Sequence, residues 1–204
     1  MKIDFKRILY ALFGIFLVGI GIAFNSSSNL GNDPIGIVYD GVRNVLSLTT
    51  EQLGTASNYV NYGLIVVLFF IGRRYVNIGT FIYILPYGLF VNIGKILYNQ
   101  IFTTDTILVR WLSVIIGCLL LYFGVAIFIA VNIGLDPFTG VVMVIADKVK
   151  KEYRVVKIFF DIFMITLGVI LGGRLGIITI ITALCAGPLI QYFFKMIQKY
   201  MKLD

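Results

Sequence analysis

Long apolar stretches recur along the chain, separated by short polar or charged segments. Each is close to the roughly 20 residues that a helix needs to cross a hydrocarbon core about 30 Å thick. In lipid every backbone polar group needs an internal partner, so we expect each stretch to be a helix. The pattern predicts six membrane-spanning helices, at residues 8–24, 56–72, 76–97, 108–131, 155–172 and 175–197.

Two apolar segments, residues 34–48 and 137–149, are too short to span a membrane easily. Each begins at the proline of an Asp-Pro pair, and the first also contains Asp40 and Arg43. Short segments headed by proline are typical of re-entrant or interfacial helices. The alternative is that both segments cross and give eight spans, which their length and Asp40 disfavour.

The composition fits an integral membrane protein and excludes most soluble classes. Of 204 residues, 59% are hydrophobic and 13% are charged, whereas a soluble domain has about 25% charged residues. The first apolar stretch follows Lys2, Lys6 and Arg7 without a small-residue cleavage site, so we expect an uncleaved first span. The net charge of +7 is not gathered into a soluble basic patch and does not indicate nucleic-acid binding.

No metal site and no cofactor are expected from the residue types present. The chain has no histidine, and its two cysteines, Cys118 and Cys185, stand alone inside apolar runs. Because no nucleophile with a neighbouring base is evident either, we do not expect an enzyme.

The distribution of lysine and arginine predicts the orientation. With six spans and an internal N-terminus, 13 of the 17 basic residues would lie inside. The four outside would be Arg43, Lys95, Arg110 and Arg174. This positive-inside bias predicts that both termini are cytoplasmic, with Lys195, Lys199 and Lys202 forming a cationic tail on the inner leaflet. Eight spans would place 14 inside and three outside, so charge does not separate the two topologies.

The chain contains an internal repeat. Residues 29–35 (Asn-Leu-Gly-Asn-Asp-Pro-Ile) match residues 132–138 (Asn-Ile-Gly-Leu-Asp-Pro-Phe) at an offset of 103, which becomes 99 later in each half. The halves are residues 1–105 and 106–204, each with three spans and one short helix. An odd number of spans gives them opposite orientations, as in many secondary transporters. The predicted fold is an all-α membrane protein, one compact domain of six transmembrane helices in two inverted three-helix repeats.

The Asp-Pro pairs are the first candidates for function. Asp33 and Asp136 have the residue type of a helix N-cap and precede a proline at the first helical position. Capping alone is one interpretation. The other adds that the helix starts lie at membrane depth and line a pocket, to which Asn29 and Asn132 would contribute amide groups.

The second candidate is an acid inside a predicted span. Asp161 lies in the fifth span, and a carboxylate costs about 2.5–3.5 kcal/mol at a helix centre in the membrane. Its counterpart in the first half, Asn61, is also polar. Asp161 would either bind solute or couple protons, or else form an ion pair with Arg154 or Lys157 that holds the helix end.

Further polar and aromatic side chains would line the same pocket or serve as interhelical contacts and interfacial anchors. They are Asn58, Asn92, Tyr59, Tyr62, Tyr83, Tyr87, Thr179, Thr182 and Gln191. The polar run 25–29 has no counterpart at residues 127–130, which suggests that the first half contributes more of any polar site. Spacings such as Gly19-x-x-x-Ala23 allow packing inside the bundle or docking onto another membrane subunit.

The paired turns and the late Gly79-Thr80 and Gly187-Pro188 elements resemble the YczE/YitT-like family of small bacterial membrane proteins. This resemblance covers nearly the whole chain and implies a location in the bacterial cytoplasmic membrane. That family often has glycine where this chain has Asp33 and Asp136, so no ligand role carries over. The length, the six spans and the small residues of the first span are more loosely similar to substrate-binding S components of energy-coupling factor vitamin transporters.

The function that we expect is transport of a small polar solute, bound in a mid-membrane cavity at the interface between the repeats. The predicted substrate-binding residues are Asn29, Asp33, Asn61, Asn132, Asp136 and Asp161. The expected partners are the solute, the lipid bilayer and either a membrane coupling subunit or a second copy of the chain. The alternatives are a vitamin-binding S component and a membrane regulatory or assembly protein without transport activity.

Overall fold

The structure is a computed structural model that describes residues 4–200. In that range the chain forms eight α-helices, and short 3-10 turns lie at Thr50–Gln52 and Arg73–Tyr75. The helices are α1 (Phe5–Ser27), α2 (Pro34–Val45), α3 (Leu53–Gly72), α4 (Ile78–Ile101), α5 (Ile107–Val131), α6 (Pro137–Val149), α7 (Tyr153–Ile170) and α8 (Ile177–Tyr200). Lys2 and Lys202, which the charge pattern placed inside, lie outside the described residues.

Within the described residues, five helices are long and apolar enough to cross a membrane. They are α1, α3, α4, α5 and α8. The predicted fifth span is also a helix, α7, but it is not among these five because Arg154, Lys157 and Asp161 fall within its 18 residues. The two short segments are helices as predicted, although α2 ends at Val45 and not at residue 48.

Apolar side chains cover much of the outer surface of the bundle. Phe70, Ile170 and Leu184 are 82%, 76% and 73% exposed. A water-facing surface would not carry so many large exposed hydrophobic residues, whereas lipid chains solvate them. The surface therefore fits a protein that lies in a membrane.

Helices α1 and α5 form the centre of the bundle and run antiparallel. A Cβ added to Gly14 would lie 2.8 Å from the carbonyl oxygen of Gly124, and one added to Gly21 would lie 2.6 Å from that of Gly117. The Nη1 atom of Arg7, at the start of α1, donates to the carbonyl of Val131 at the end of α5 over 3.1 Å. The glycines permit this close approach because they carry no side chain.

The other helices pack around this pair in matching positions. Helix α4 lies against α1, where the Phe16 and Phe90 rings are 5.3 Å apart, and α8 lies against α5, where the Phe123 and Phe193 rings are 5.5 Å apart. The short helices α2 and α6 each contact both α3 and α7. Each short helix is thereby enclosed by helices of both halves.

Candidate functional site

Both Asp-Pro pairs begin a short helix, as the sequence predicts. The Asp33 carboxylate accepts hydrogen bonds from the backbone N–H groups of Ile35, at 3.3 Å, and Gly36, at 3.2 Å. The Asp136 carboxylate accepts one from the N–H of Thr139 at 3.0 Å. The capping interpretation is confirmed at both positions, and a role in binding solute stays a prediction.

The turn before α2 packs against the start of α8, and the turn before α6 packs against the start of α4. Each turn therefore contacts the last helix of the other half. A Cβ on Gly31, whose φ is +105°, would lie 2.7 Å from the Cα of Gly176, and one on Gly134 would lie 2.8 Å from the Cα of Gly79. The hydroxyl of Thr80 donates to the carbonyl of Leu135 over 2.8 Å. These contacts fix each Asp-Pro helix start against the opposite half of the chain.

Asn29 and Asn132, which the sequence places beside the two caps, are both exposed and have left-handed backbone conformations, with φ of 58° and 52°. The Asn29 side-chain oxygen accepts a hydrogen bond from Arg174. Asparagine is one of the few residue types that adopts this conformation readily, so both positions have a clear role in forming the turn.

A cluster of three buried tyrosines lies close to both caps. The ring centroids of Tyr83 and Tyr87 are 5.1 Å apart and stacked, and those of Tyr39 and Tyr87 are 5.9 Å apart. Asp33 and Asp136 both lie close enough to Tyr83 and Tyr87 to interact electrostatically with them. We call Tyr39, Tyr83 and Tyr87 the tyrosine cluster, and both predicted acids lie within electrostatic range of it.

Asn61 adds an amide to the tyrosine cluster and is completely buried. Its Nδ2 atom donates to the hydroxyl of Tyr39 over 3.3 Å and to the carbonyl of Ser57 over 2.9 Å. Its Oδ1 atom has no hydrogen-bond partner among the described residues. An unsatisfied buried carbonyl costs about 1–3 kcal/mol, which makes it a candidate acceptor for a ligand.

Asp161 forms an ion pair on its own helix. The Lys157 ammonium lies 2.5 and 2.6 Å from the two Asp161 oxygens, one helical turn away. Of the two cations that the sequence offered, Lys157 is the partner in this pair. Both residues also lie close enough to Asp33 to interact with it electrostatically, so the pair belongs to the surroundings of the first cap.

The other predicted pocket residues are either exposed on the surface or make contacts that join helices. Tyr59 and Tyr62 are exposed on the outside of α3. The Oδ1 atoms of Asn58 and Asn92 accept hydrogen bonds from the backbone N–H groups of Gly88, at 3.0 Å, and Gly54, at 2.9 Å. These two asparagines join α3 to α4. Thr179 and Thr182 are buried near the start of α8, and Gln191 is exposed.

Sequence reasoning missed Tyr39 and a second polar cluster. In that cluster Ser26 donates to Asp40 over 2.9 Å, and Lys95 donates to Ser27 over 2.8 Å. The serine run without a counterpart in the second half was the available signal. It could not identify Lys95, which is 68 residues from Ser27 along the chain.

The tyrosine cluster is almost completely buried, with Tyr39, Tyr83 and Tyr87 at 1%, 8% and 1% exposed. A surface groove lies elsewhere, between the 3-10 turn Arg73–Tyr75 and the end of α6, where Arg74 and Tyr75 both hydrogen-bond to Asp147. Because the tyrosines are buried, a solute could reach them only if neighbouring side chains moved.

Comparison with known proteins gives a family but no activity. A model of a family of unknown function, DUF6198, matches residues 5–195. The chain is 27% identical over 197 residues to an uncharacterised protein of Haemophilus influenzae, covering 96% of this chain and 87% of that protein. It is 20% identical over 194 residues to the uncharacterised protein YyaS of Bacillus subtilis, covering 95% of each. No solved structure matches the chain. These matches name neither the YczE/YitT-like proteins nor the S components.

Proposed function

The chain belongs to DUF6198, a family of unknown function, and we propose that it is a bacterial cytoplasmic membrane transporter that binds a small polar solute between two inverted repeats. The observation that carries the proposal is the pair of short-helix starts, at Asp33 and Asp136, which both lie within electrostatic range of the buried Tyr83 and Tyr87. Paired discontinuous helices at corresponding positions of inverted repeats are a common way to build a transporter site.

The glycine contacts between α1 and α5 support the inverted relationship. At the repeat offset of 103, Gly14 corresponds to Gly117 and Gly21 to Gly124. Gly14 packs on Gly124, and Gly21 packs on Gly117. Gly14 thus meets the counterpart of Gly21, and Gly21 meets the counterpart of Gly14. A two-fold axis between two antiparallel helices produces this exchange of partners. In this proposal α7 also crosses the membrane, as the fifth of six spans, and the Lys157–Asp161 ion pair lowers the cost of its charges.

The proposed site offers mainly hydrogen-bond acceptors and aromatic faces. The acceptors are the Asp33 and Asp136 carboxylates and the Oδ1 atom of Asn61, which has no hydrogen-bond partner within residues 4–200. Tyrosine rings bind planar or cationic groups through their faces. The site therefore favours a small solute that carries N–H or O–H donors, and Asp161 is a candidate coupling acid.

Two observations bear on the alternatives. An S component docks through small residues of its first span, but here Gly14 and Gly21 face α5, and Gly19 faces Phe90 of α4. This face of α1 is inside the bundle and does not favour docking. The packed tyrosine cluster would also suit a membrane regulatory or assembly protein, which requires no solute.

A thermal-unfolding screen of the purified chain in detergent tests the proposal. The solutes would be vitamins, nucleobases, amino acids and organic cations, and a solute at 100 times its Kd adds about 2.7 kcal/mol to the free energy of unfolding. We expect a selective stabiliser whose effect is lost in Asp33→Asn and Asn61→Leu and kept in the control Asp147→Asn, which lies in the surface groove. Binding that all three variants retain would contradict the proposed site.

A further inference from the structure

A second buried polar cluster joins α1, α2 and α4. We call it the serine–lysine cluster, and its members are Ser26, Ser27, Asp40, Arg43 and Lys95. Asp40 and Lys95 are 4% and 8% exposed. The cluster lies near the C-terminal ends of α1 and α4, which is the external side in the proposed six-span topology.

The charges in this cluster do not balance. Asp40 is paired with Arg43, whose Nε atom lies 3.7 Å from its Oδ1 atom. Lys95 donates to the neutral hydroxyl of Ser27, and no carboxylate of the described residues lies within 4.0 Å of its ammonium. At longer range the Asp40 carboxylate acts on Lys95, as do Glu51 and Arg174, which are both exposed and have opposite charges. Lys95 and the partly buried Arg43 therefore share one carboxylate, that of Asp40, and only Arg43 lies within 4.0 Å of it, although buried charges are normally paired directly.

The charged cluster has no counterpart in the second half. At the repeat offset of 103, Ser26, Ser27, Asp40 and Arg43 correspond to Ile129, Ala130, Met143 and Ala146. At the offset of 99 that relates α4 to α8, Lys95 corresponds to Phe194. All five counterparts are apolar and Ile129 is exposed, so the charges are particular to the first half and are not a feature that the repeat requires.

We propose that the serine–lysine cluster is a binding site for a phosphate-type oxyanion, with Lys95 and Arg43 as its cations. The Ser26 and Ser27 hydroxyls, which now donate to Asp40 and to the carbonyl of Ala23, would turn to donate to the ion. The amide of Asn32 would donate as well, since it is fully buried beside Asp40 and its Nδ2 atom makes no hydrogen bond of normal geometry with the described residues. A bound oxyanion would supply the direct anionic contact that Lys95 lacks. Free phosphate and the headgroup of an anionic lipid share this chemistry.

The first arm of the test measures phosphate binding by the full chain in neutral-lipid nanodiscs. The thermal-unfolding midpoint is followed in sodium phosphate and in sodium chloride of equal ionic strength. We expect a saturable increase in phosphate for the wild type and for Arg110→Gln, a control that removes an external arginine already paired with Asp105 at 2.7 Å. Lys95→Gln keeps a donor for Ser27 but removes the charge, and it should weaken binding about tenfold or more.

A further variant, Asp40→Asn, should change phosphate binding in the opposite direction to Lys95→Gln. Asp40→Asn removes the one buried anion of the cluster, so it should strengthen phosphate binding. A cluster that only joins helices would bind no phosphate, and Asp40→Asn would then change stability without creating an anion effect. If Lys95→Gln fails to fold, Arg43→Gln replaces it, with the same expected weakening.

The second arm identifies the source of the oxyanion. Phosphatidylglycerol is added to the nanodiscs and the phosphate titration is repeated. Competition in the wild type that is absent in Lys95→Gln assigns the site to lipid headgroups, and no competition assigns it to the free ion. The proposal is overturned if neither phosphate nor phosphatidylglycerol stabilises the wild type more than Lys95→Gln.

Discussion

Gly21 of α1 packs directly on the backbone of Gly117 of α5, so closely that a Cβ at Gly21 would lie 2.6 Å from the carbonyl oxygen of Gly117. Real Cβ atoms essentially never approach so closely, and the atom that this Cβ would meet belongs to the backbone. A side chain at this position must therefore separate the two central helices.

Gly21→Ala should lower the free energy of unfolding by about 1–3 kcal/mol, the usual range for overpacking. The matched control is Gly63→Ala, because Gly63 also lies in a long helix but, apart from its own helix backbone, no atom of residues 4–200 lies within 4 Å of its added Cβ. The control should be neutral or stabilising, since alanine favours a helix more than glycine does. Thermal unfolding in detergent checks both, and equal effects of the two substitutions would show that the close contact is not formed.

Two substitutions of Asp33 distinguish the contribution of the helix cap to stability from that of the carboxylate charge. Asp33→Ala removes a side chain that accepts two backbone hydrogen bonds and should cost about 1 kcal/mol of stability. Asp33→Asn should cost only a few tenths, because asparagine is an equally good N-cap. Circular dichroism during heating measures the difference. A loss of stability in Asp33→Asn as large as in Asp33→Ala would show that the carboxylate charge itself holds the fold.

The sequence predicts the local features of this protein, but not which face of a helix is buried in the fold. Both Asp-Pro caps follow from local residue preferences, and the structure has them where the pattern places them. The exposure of Tyr59 and Tyr62 does not follow, because lipid-facing and buried positions of a membrane helix are both apolar, so hydrophobic periodicity does not identify the inner face.

The members of the tyrosine cluster illustrate the same limit. Tyr83 and Tyr87 are one turn apart on α4 and were predictable as a pair, whereas Tyr39 joins them from α2. Only the folded structure shows which helix supplies the third ring and that Asn61 donates to its hydroxyl.

Asn61→Leu should leave stability unchanged or increase it while abolishing solute binding. Leucine has a similar volume and removes a buried carbonyl oxygen that has no partner among residues 4–200, although it also removes the hydrogen bond to Tyr39. A residue retained at a cost in stability is typical of a functional site. Thermal unfolding with and without the solute found in the screen provides both readouts. A destabilised variant that still binds solute would make Asn61 a structural residue.

Asp161→Asn should abolish solute uptake into proteoliposomes and leave the protein folded. Lys157→Gln is the matched control because it breaks the same ion pair from the other side. Uptake that survives in Lys157→Gln and is lost in Asp161→Asn assigns the role to the carboxylate. Equal loss in both would assign it to the ion pair, and equal survival would remove Asp161 from the mechanism.

The most direct test of the inverted architecture is the sidedness of Asn29 and Asn132, the exposed counterparts in the two turns. Asn29→Cys and Asn132→Cys are made separately in a chain whose Cys118 and Cys185 are replaced by alanine, and whole cells are treated with a membrane-impermeant maleimide. The inverted six-span arrangement predicts labelling at position 29 in intact cells and at position 132 only after permeabilisation. Labelling of both positions in intact cells is the result for eight spans, and it would contradict the account.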